Sequence, residues 1–156
     1  DLFLDALASI DGMATANIVG EGPQLNDYRD RAAALGLEDR VTFQPAQDTR
    51  TAFAHADCVV VPSRAESLPY IVLDAVAAHR PLIATDVGGI SEILNKPEDC
   101  LVAPDDVSAL ASAMKSMLDK PPSVEKRATR AEHLKKHFSL PVMAASIEAS
   151  YRETLS

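Results

Sequence analysis

Glu66 and Asp74 stand eight positions apart in the stretch Asp57 to Pro81, DCVVVPSRAESLPYIVLDAVAAHRP. Ionised carboxylates accept hydrogen bonds in pairs, which suits the vicinal hydroxyls of a sugar or a ribose. On one continuous helix the two would not share a face. With Glu66 in a loop and Asp74 in the second turn of the following helix, both can border one cleft; the plainer alternative is two solvated surface acids. Pro69 between them marks a helix start, because the amide that proline lacks has no partner in a first helical turn. Free amides and the helix dipole at such a start attract anions. Carboxylates and helix start together suit a ligand that is both phosphorylated and rich in hydroxyls.

These residues need a scaffold, and the flanking pattern supplies one. Cys58-Val59-Val60-Val61 is an apolar run halted by Pro62, which reads as a buried strand. Ser63 to Ser67 forms a polar turn, and Pro69 to His79 a helix with proline inside its first turn. That order aims the helix start at the strand's carboxyl end, where open α/β sheets bind ligands. The rest of the chain repeats the alternation. Further helices are predicted at Asp1 to Ile10, Leu25 to Leu35 with Gly36 as its stop, from Asp48 or Thr49 to His55, at Ser91 to Leu94, at Val107 to Leu118 capped by Asp105 or Asp106, at Val124 to Phe138 and at Val142 to Tyr151. Strands are predicted at Ala14 to Val19, Val41 to Phe43, Leu82 to Ala84 and Leu101 to Ala103. Strands alternating with helices over short connections imply an α/β fold: a parallel sheet with helices on both faces. No strand pattern follows Pro121-Pro122, so residues 1–120 are expected to form the sheet-bearing domain and residues 121–156 helices packing on it.

Bulk properties narrow the function. The 156 residues suffice for one full-sized core. A net charge of −8 argues against a nucleic-acid surface. Cys58 and Cys100 lie in apolar runs with no metal or redox spacing and read as buried thiols of a reducing compartment, with a disulfide left open. No apolar run reaches the roughly 20 residues that span a bilayer. The opening DLFLDALASI lacks the basic start of a signal peptide and reads as a helix from the middle of a longer protein. Lys126, Arg127, Arg130, Lys135 and Lys136 read as a solvated helical face, His133 and His137 as surface histidines rather than metal ligands, and Glu38-Asp39, Glu98-Asp99 and Asp105-Asp106 as loop or cap residues. There is no P-loop and no nucleophile elbow. Gly20-Glu21-Gly22-Pro23, between a strand and a helix, lets backbone approach a ligand or simply makes a tight turn; Leu25, where a third glycine would stand, removes a nicotinamide site. Gly88-Gly89 admits the same two readings.

Taken in order, these pieces form a series: Ile18-Val19-Gly20-Glu21-Gly22-Pro23, Leu35 to Phe43, Ala56 to Ser63, Glu66-Ser67-Leu68-Pro69, Leu73 to Ala77, Pro81 to Gly89, Glu92-Ile93 and Leu101-Val102-Ala103-Pro104. The series resembles the C-terminal, donor-binding domain of family 4 retaining glycosyltransferases with the GT-B fold, the group 1 glycosyl transferases. The resemblance implies a Rossmann-like domain that binds a nucleoside diphosphate sugar. It places Glu66 as the catalytic carboxylate, on hydroxyls of the donor sugar, and Asp74 on the ribose. Backbone from Ser67 through Leu68, Pro69 and Tyr70 to Ile71 would meet the sugar and diphosphate. Gly20, Glu21 and Gly22 would line the diphosphate cleft, Arg40, Val41 and Phe43 would lie near the base, and Ser63 would complete the donor set. No cofactor or metal is expected; a helix start and basic residues would stabilise the leaving diphosphate.

The chain departs from the family pattern at four places. Asp74 stands for the usual Glu, Ser67 and His79 for small residues, and Cys100 for a Gly. The family's first strand in this domain would precede Asp1 and would be central in the strand order 3-2-1-4-5-6. A gap is therefore expected between the strands at Ala14 to Val19 and Val59 to Val61. An acceptor sugar, lipid or small molecule would be held by an N-terminal domain, in a cytoplasmic protein with room for peripheral contact at the inner membrane face. Two other readings stay open: a GT-B-like sugar-nucleotide epimerase and a non-catalytic nucleotide-binding α/β module.

Overall fold

A computed structural model describes residues 1–12, 14–95 and 100–155. The Glu98-Asp99 pair lies outside the described residues. In chain order the elements are α1 (Leu2–Ala8), β1 (Ala16–Val19), α2 (Leu25–Ala34), β2 (Val41–Gln44), α3 (Thr49–Phe53), β3 (Val59–Val61), α4 (Tyr70–Ala77), β4 (Leu82–Thr85), α5 (Ile90–Ile93), β5 (Leu101–Val102), α6 (Val107–Asp119), α7 (Val124–Phe138) and α8 (Leu140–Leu155).

The paired strands run parallel, each pair joined through a helix. β1 pairs β2 with Ala16 opposite Val41, and β3 pairs β4 with Val59 opposite Leu82. β4 in turn pairs β5, with Ala84 opposite Leu101. All four residues of β4 are buried, because this strand packs against α4 and against α6 and so has a helix on either face. The expected break in the sheet is present: β1 and β2 form one sheet, β3, β4 and β5 another, and among the described residues no ladder joins β1 to β3. Leu2, Leu4 and Leu7 of α1 are buried, and α1 packs along α6 through the side that carries Leu110, Met114 and Met117.

Local sequence explains most boundaries. Asp48 rather than Thr49 caps α3, its carboxylate accepting from the Thr51 amide and hydroxyl. Asp106 rather than Asp105 caps α6, accepting from the Ala109 amide at 2.8 Å. Two helices end in the same hydrogen-bond motif. After α2, Gly36 (φ 67) donates to the Ala33 carbonyl and Leu37 to that of Ala32. After α4, His79 (φ 54) donates to Val76 and Arg80 to Ala75. The motif requires a left-handed residue, normally glycine, so His79 occupies a backbone conformation that L side chains resist. The final helix begins at Leu140 instead of Val142, since Pro141 falls in a first turn where its missing amide breaks nothing. α7 lies over α4 and α5, and α8 touches α7.

Candidate functional site

The apolar run Val59–Val61 forms β3, and Pro62 releases the chain at its carboxyl end. The loop that follows is held from several directions. The Ser63 hydroxyl donates to Glu66 Oε1 at 2.7 Å, so the half-buried carboxylate is anchored by its own loop. Thr85, at the carboxyl end of the neighbouring strand β4, is fully buried and donates its hydroxyl to the Ser63 carbonyl. Arg64 points away to Asp105 and Asp1, at 2.6 and 2.8 Å. The Gly89 amide donates to the Ser67 carbonyl at 3.0 Å. Gly88 has φ 54, and a Cβ built on it would lie 1.9 Å from the Glu66 carbonyl oxygen. The Gly88-Gly89 turn thus packs backbone to backbone on the Glu66 loop, which decides between the two readings of that pair: the glycines make room for protein.

The helix start differs from expectation by one position. Pro69 is buried and extended (ψ 108), so it is the N-cap of α4 and not a residue of its first turn. No side chain caps the helix. The first-turn amides of Tyr70 and Ile71 have no acceptor that an α-helix itself can supply, which leaves a positive dipole end beside the Glu66 loop. Val72, Ala75 and Val76 face the core while Asp74 is exposed. Asp74 therefore lies on the solvent side of α4, about 6 Å along the axis from Tyr70 at about 1.5 Å per residue. Tyr70 shares that side four residues earlier and is 76% exposed, with Leu68 exposed beside it. Ser63, Glu66, Ser67, Leu68, Pro69, Tyr70 and Ile71 are thus brought together at one strand exit, with Asp74 one turn further on.

The remaining predicted residues divide. Gly20 (φ 150) extends the β1–β2 ladder by donating to the Gln44 carbonyl, and a side chain on Gly20 or Gly22 would meet open space. Glu21 and Gly22 are exposed at the carboxyl end of β1. Arg40 lies at the other end of that sheet. Its guanidinium donates to the Ala14 and Leu7 carbonyls at 2.9 and 3.2 Å, tying α1 to the approach to β1. Val41 opens β2 opposite Ala16. At about 3.3 Å per residue, the strand separates Arg40 and Val41 by roughly 10 Å or more from the Gly20 loop. Arg40, ahead of the amino end of β2, and Phe43, near its carboxyl end, therefore do not stand together, and the Arg40 guanidinium is engaged by main-chain carbonyls of the fold. Phe43, next to the carboxyl end, lies under the Arg29 guanidinium, 5.8 Å from its ring centre. Val41 and Phe43 also line an open groove of about 370 Å³ against α2, with Arg29 and Glu38; a second recess of about 320 Å³ lies on α8, and neither is lined by Glu66 or Asp74.

Neither cysteine is in a disulfide. Burial, and after it the nearby Cys100, push the Cys58 thiol up to about 12. This half-buried thiol, just ahead of β3, keeps its proton at neutral pH. Among the described residues, no group of three or more His, Cys, Asp or Glu side chains could hold a metal ion, and no helix is long and apolar enough to cross a membrane. Thr85 escaped sequence reading. Its one signal is a hydroxyl closing the otherwise apolar Leu82-Ile83-Ala84.

A family model described as Glycosyl transferases group 1 matches residues 1–120. Curated relatives include an alpha-D-kanosaminyltransferase from Streptomyces kanamyceticus, 31% identical over 141 residues that cover 87% of this chain and 36% of the relative. Another is glycogen synthase from Mycobacterium tuberculosis, 32% identical over 142 residues, covering 88% and 34%. Among solved structures, sucrose-phosphate synthase from Thermosynechococcus elongatus superposes with a TM-score of 0.83 at 27% identity, over 99% of this chain and 41% of that one. Anabaena HepE in complex with UDP superposes with a TM-score of 0.86 at 20% identity, over 97% and 44%. The chain spans about a third of the length of these two curated relatives.

Proposed function

The chain belongs to the group 1 glycosyl transferases, and from that premise we propose that it is the donor-binding part of a retaining glycosyltransferase that uses a nucleoside diphosphate sugar. The observation that carries the proposal is the join of two features at the exit of β3: a half-buried carboxylate, Glu66, anchored by Ser63, and the uncapped start of α4. An anionic diphosphate suits the amides of Tyr70 and Ile71, and sugar hydroxyls suit the free lone pairs of Glu66. Asp74 takes the ribose hydroxyls, with a reach one methylene shorter than a glutamate would have. UDP bound to the HepE fold supports a nucleotide ligand for this architecture. The relatives named above transfer or build sugars, which favours a transferase over an epimerase.

In the proposed reaction the bond from the anomeric carbon to the diphosphate oxygen breaks, and a bond from the acceptor oxygen to the same carbon forms on the same face. The acceptor's proton passes to the departing diphosphate oxygen. Negative charge grows on the diphosphate as the bond breaks, and preorganised amides at a helix start stabilise that charge more in the transition state than in the ground state. No metal or other cofactor has a role in this scheme. The acceptor, a sugar, a lipid or a small molecule, is held by parts of the whole protein beyond this chain, and the protein works in the cytoplasm, free or in peripheral contact with a membrane.

The test uses the full-length protein and a panel of UDP-glucose, ADP-glucose and GDP-mannose. A donor bound by the native state alone raises the melting temperature. Glu66→Ala should abolish transfer from the stabilising donor while the protein stays folded. Normal turnover in that variant refutes the assignment.

A further inference from the structure

We infer that Thr85 is a positioning residue for Glu66, and that the carboxyl end of β4 with the turn after it forms a mould against which the Glu66 loop is set. The inference rests on the donor-binding reading above. It adds residues that touch no ligand and act only through the loop.

The mould holds the loop on both sides of Glu66. Upstream, Thr85 is the one buried polar or charged residue among the described residues. A hydroxyl on a buried strand must find an acceptor, and this one finds it on the neighbouring segment. It donates to the Ser63 carbonyl and lies 3.4 Å from that of Val61, so it grips the backbone where β3 becomes the loop. Ser63, so held, donates its own hydroxyl to Glu66 Oε1. The chain of contacts runs from a buried strand, through one carbonyl and one hydroxyl, to the carboxylate. Downstream, the Gly89 amide holds the Ser67 carbonyl, and Gly88 lets the Glu66 carbonyl approach to a distance no side chain would allow. Glu66 is therefore fixed between two backbone contacts supplied by one neighbouring strand and its turn. A carboxylate on a loop, left to itself, would lose several degrees of freedom on meeting each sugar; one already braced loses fewer, which favours the bound state.

The loss of this brace has a signature that general destabilisation lacks. Glu66 meets the sugar, not the diphosphate, so its misplacement weakens a nucleotide sugar and spares the nucleoside diphosphate. The measured quantity is the ratio of the UDP affinity to the UDP-glucose affinity in full-length protein, by calorimetry, with the ADP and GDP pairs run in parallel. The ratio is internal to each variant, so lowered stability alone does not move it. Thr85→Val keeps the volume and removes the hydroxyl; it should bind the nucleoside diphosphate as wild type does and lose about tenfold of the preference for the sugar-bearing form. Thr85→Ser restores the hydroxyl and should restore the preference. Should Thr85→Val fail to fold, Ser63→Ala cuts the last link of the same chain and should show the same loss. An unchanged ratio in Thr85→Val, or in Ser63→Ala, overturns the inference. If Glu66→Ala loses the preference while those two keep it, only the positioning role falls. If wild type binds none of the probes, the donor-binding reading falls and takes this inference with it.

Discussion

Replacing Gly88 with alanine tests how tightly β4 and the Glu66 loop are fitted. Two separate penalties apply. The backbone at Gly88 has φ 54, where a Cβ crowds the following carbonyl, and that strain costs about 1–2 kcal/mol. The new Cβ would also lie 1.9 Å from the Glu66 carbonyl oxygen and 2.7 Å from its carbon, both of them backbone atoms with no rotamer to escape into. One of the two segments must retreat by more than an ångström, and overpacking of this kind costs about 1–3 kcal/mol. The total, about 2–5 kcal/mol, lowers the melting temperature by roughly 5–20 °C in a domain of this size. The displaced atoms belong to Glu66 itself, and a misplacement of about 1 Å in a reacting arrangement can cost about a hundredfold in rate. Scanning calorimetry and initial-rate measurements on full-length protein read both effects. Gly36→Ala is the control, since Gly36 has a similar φ of 67 but nothing within 4 Å of a new Cβ. It should be destabilised by only about 1–2 kcal/mol, with transfer intact. If Gly88→Ala behaves as Gly36→Ala does, the close packing of the two loops is wrong.

Three further residues give testable outcomes. His79→Gly should raise stability by about 0.5–1 kcal/mol, because the left-handed strain relieved exceeds glycine's added freedom in the unfolded chain; denaturant titration reads the shift, and a loss of stability would contradict the motif at the end of α4. Cys58 keeps its proton in the folded chain up to about pH 12, whereas in the unfolded chain it ionises near pH 8.5. Its contribution to stability is therefore complete below about pH 8.5 and disappears as the pH rises toward 12, so Cys58→Ala should flatten the alkaline fall in the denaturant midpoint. In the native protein this thiol should resist an aromatic disulfide reagent at pH 8, and labelling within seconds would show that it is accessible. Arg40→Ala should lower the melting temperature while leaving the Kd for a nucleoside diphosphate unchanged, because its guanidinium holds the Leu7 and Ala14 carbonyls; a selective loss of nucleotide binding would return Arg40 to the donor site.

The sequence was readable wherever a residue's role is set by its neighbours along the chain. Gly36 ends α2, and Asp48 and Asp106 cap their helices, through contacts a few residues away, while the apolar runs at Val59 and Leu82 announce strands by their own composition. Glu66 and the start of α4 were legible for the same reason: a strand, a turn and a proline-marked helix leave little choice of geometry. What could not be read depended on partners distant in sequence. Thr85 looks like an ordinary strand terminus until the Ser63 carbonyl, 22 positions earlier, is placed beside it. Gly88 gains its meaning only from the Glu66 backbone that lies against it. The contacts of Arg40 were hidden in the same way, since its acceptors, the Ala14 and Leu7 carbonyls, lie 26 and 33 positions away. His79 conceals a left-handed turn, since periodicity registers apolar faces and not backbone strain.

The most direct measurement is a crystal structure of the full-length protein with its nucleotide sugar bound. The account predicts the diphosphate against the amides of Tyr70 and Ile71, sugar hydroxyls on the Glu66 carboxylate, and ribose hydroxyls on Asp74. A diphosphate bound away from the start of α4, with Glu66 still turned only toward Ser63, would contradict it.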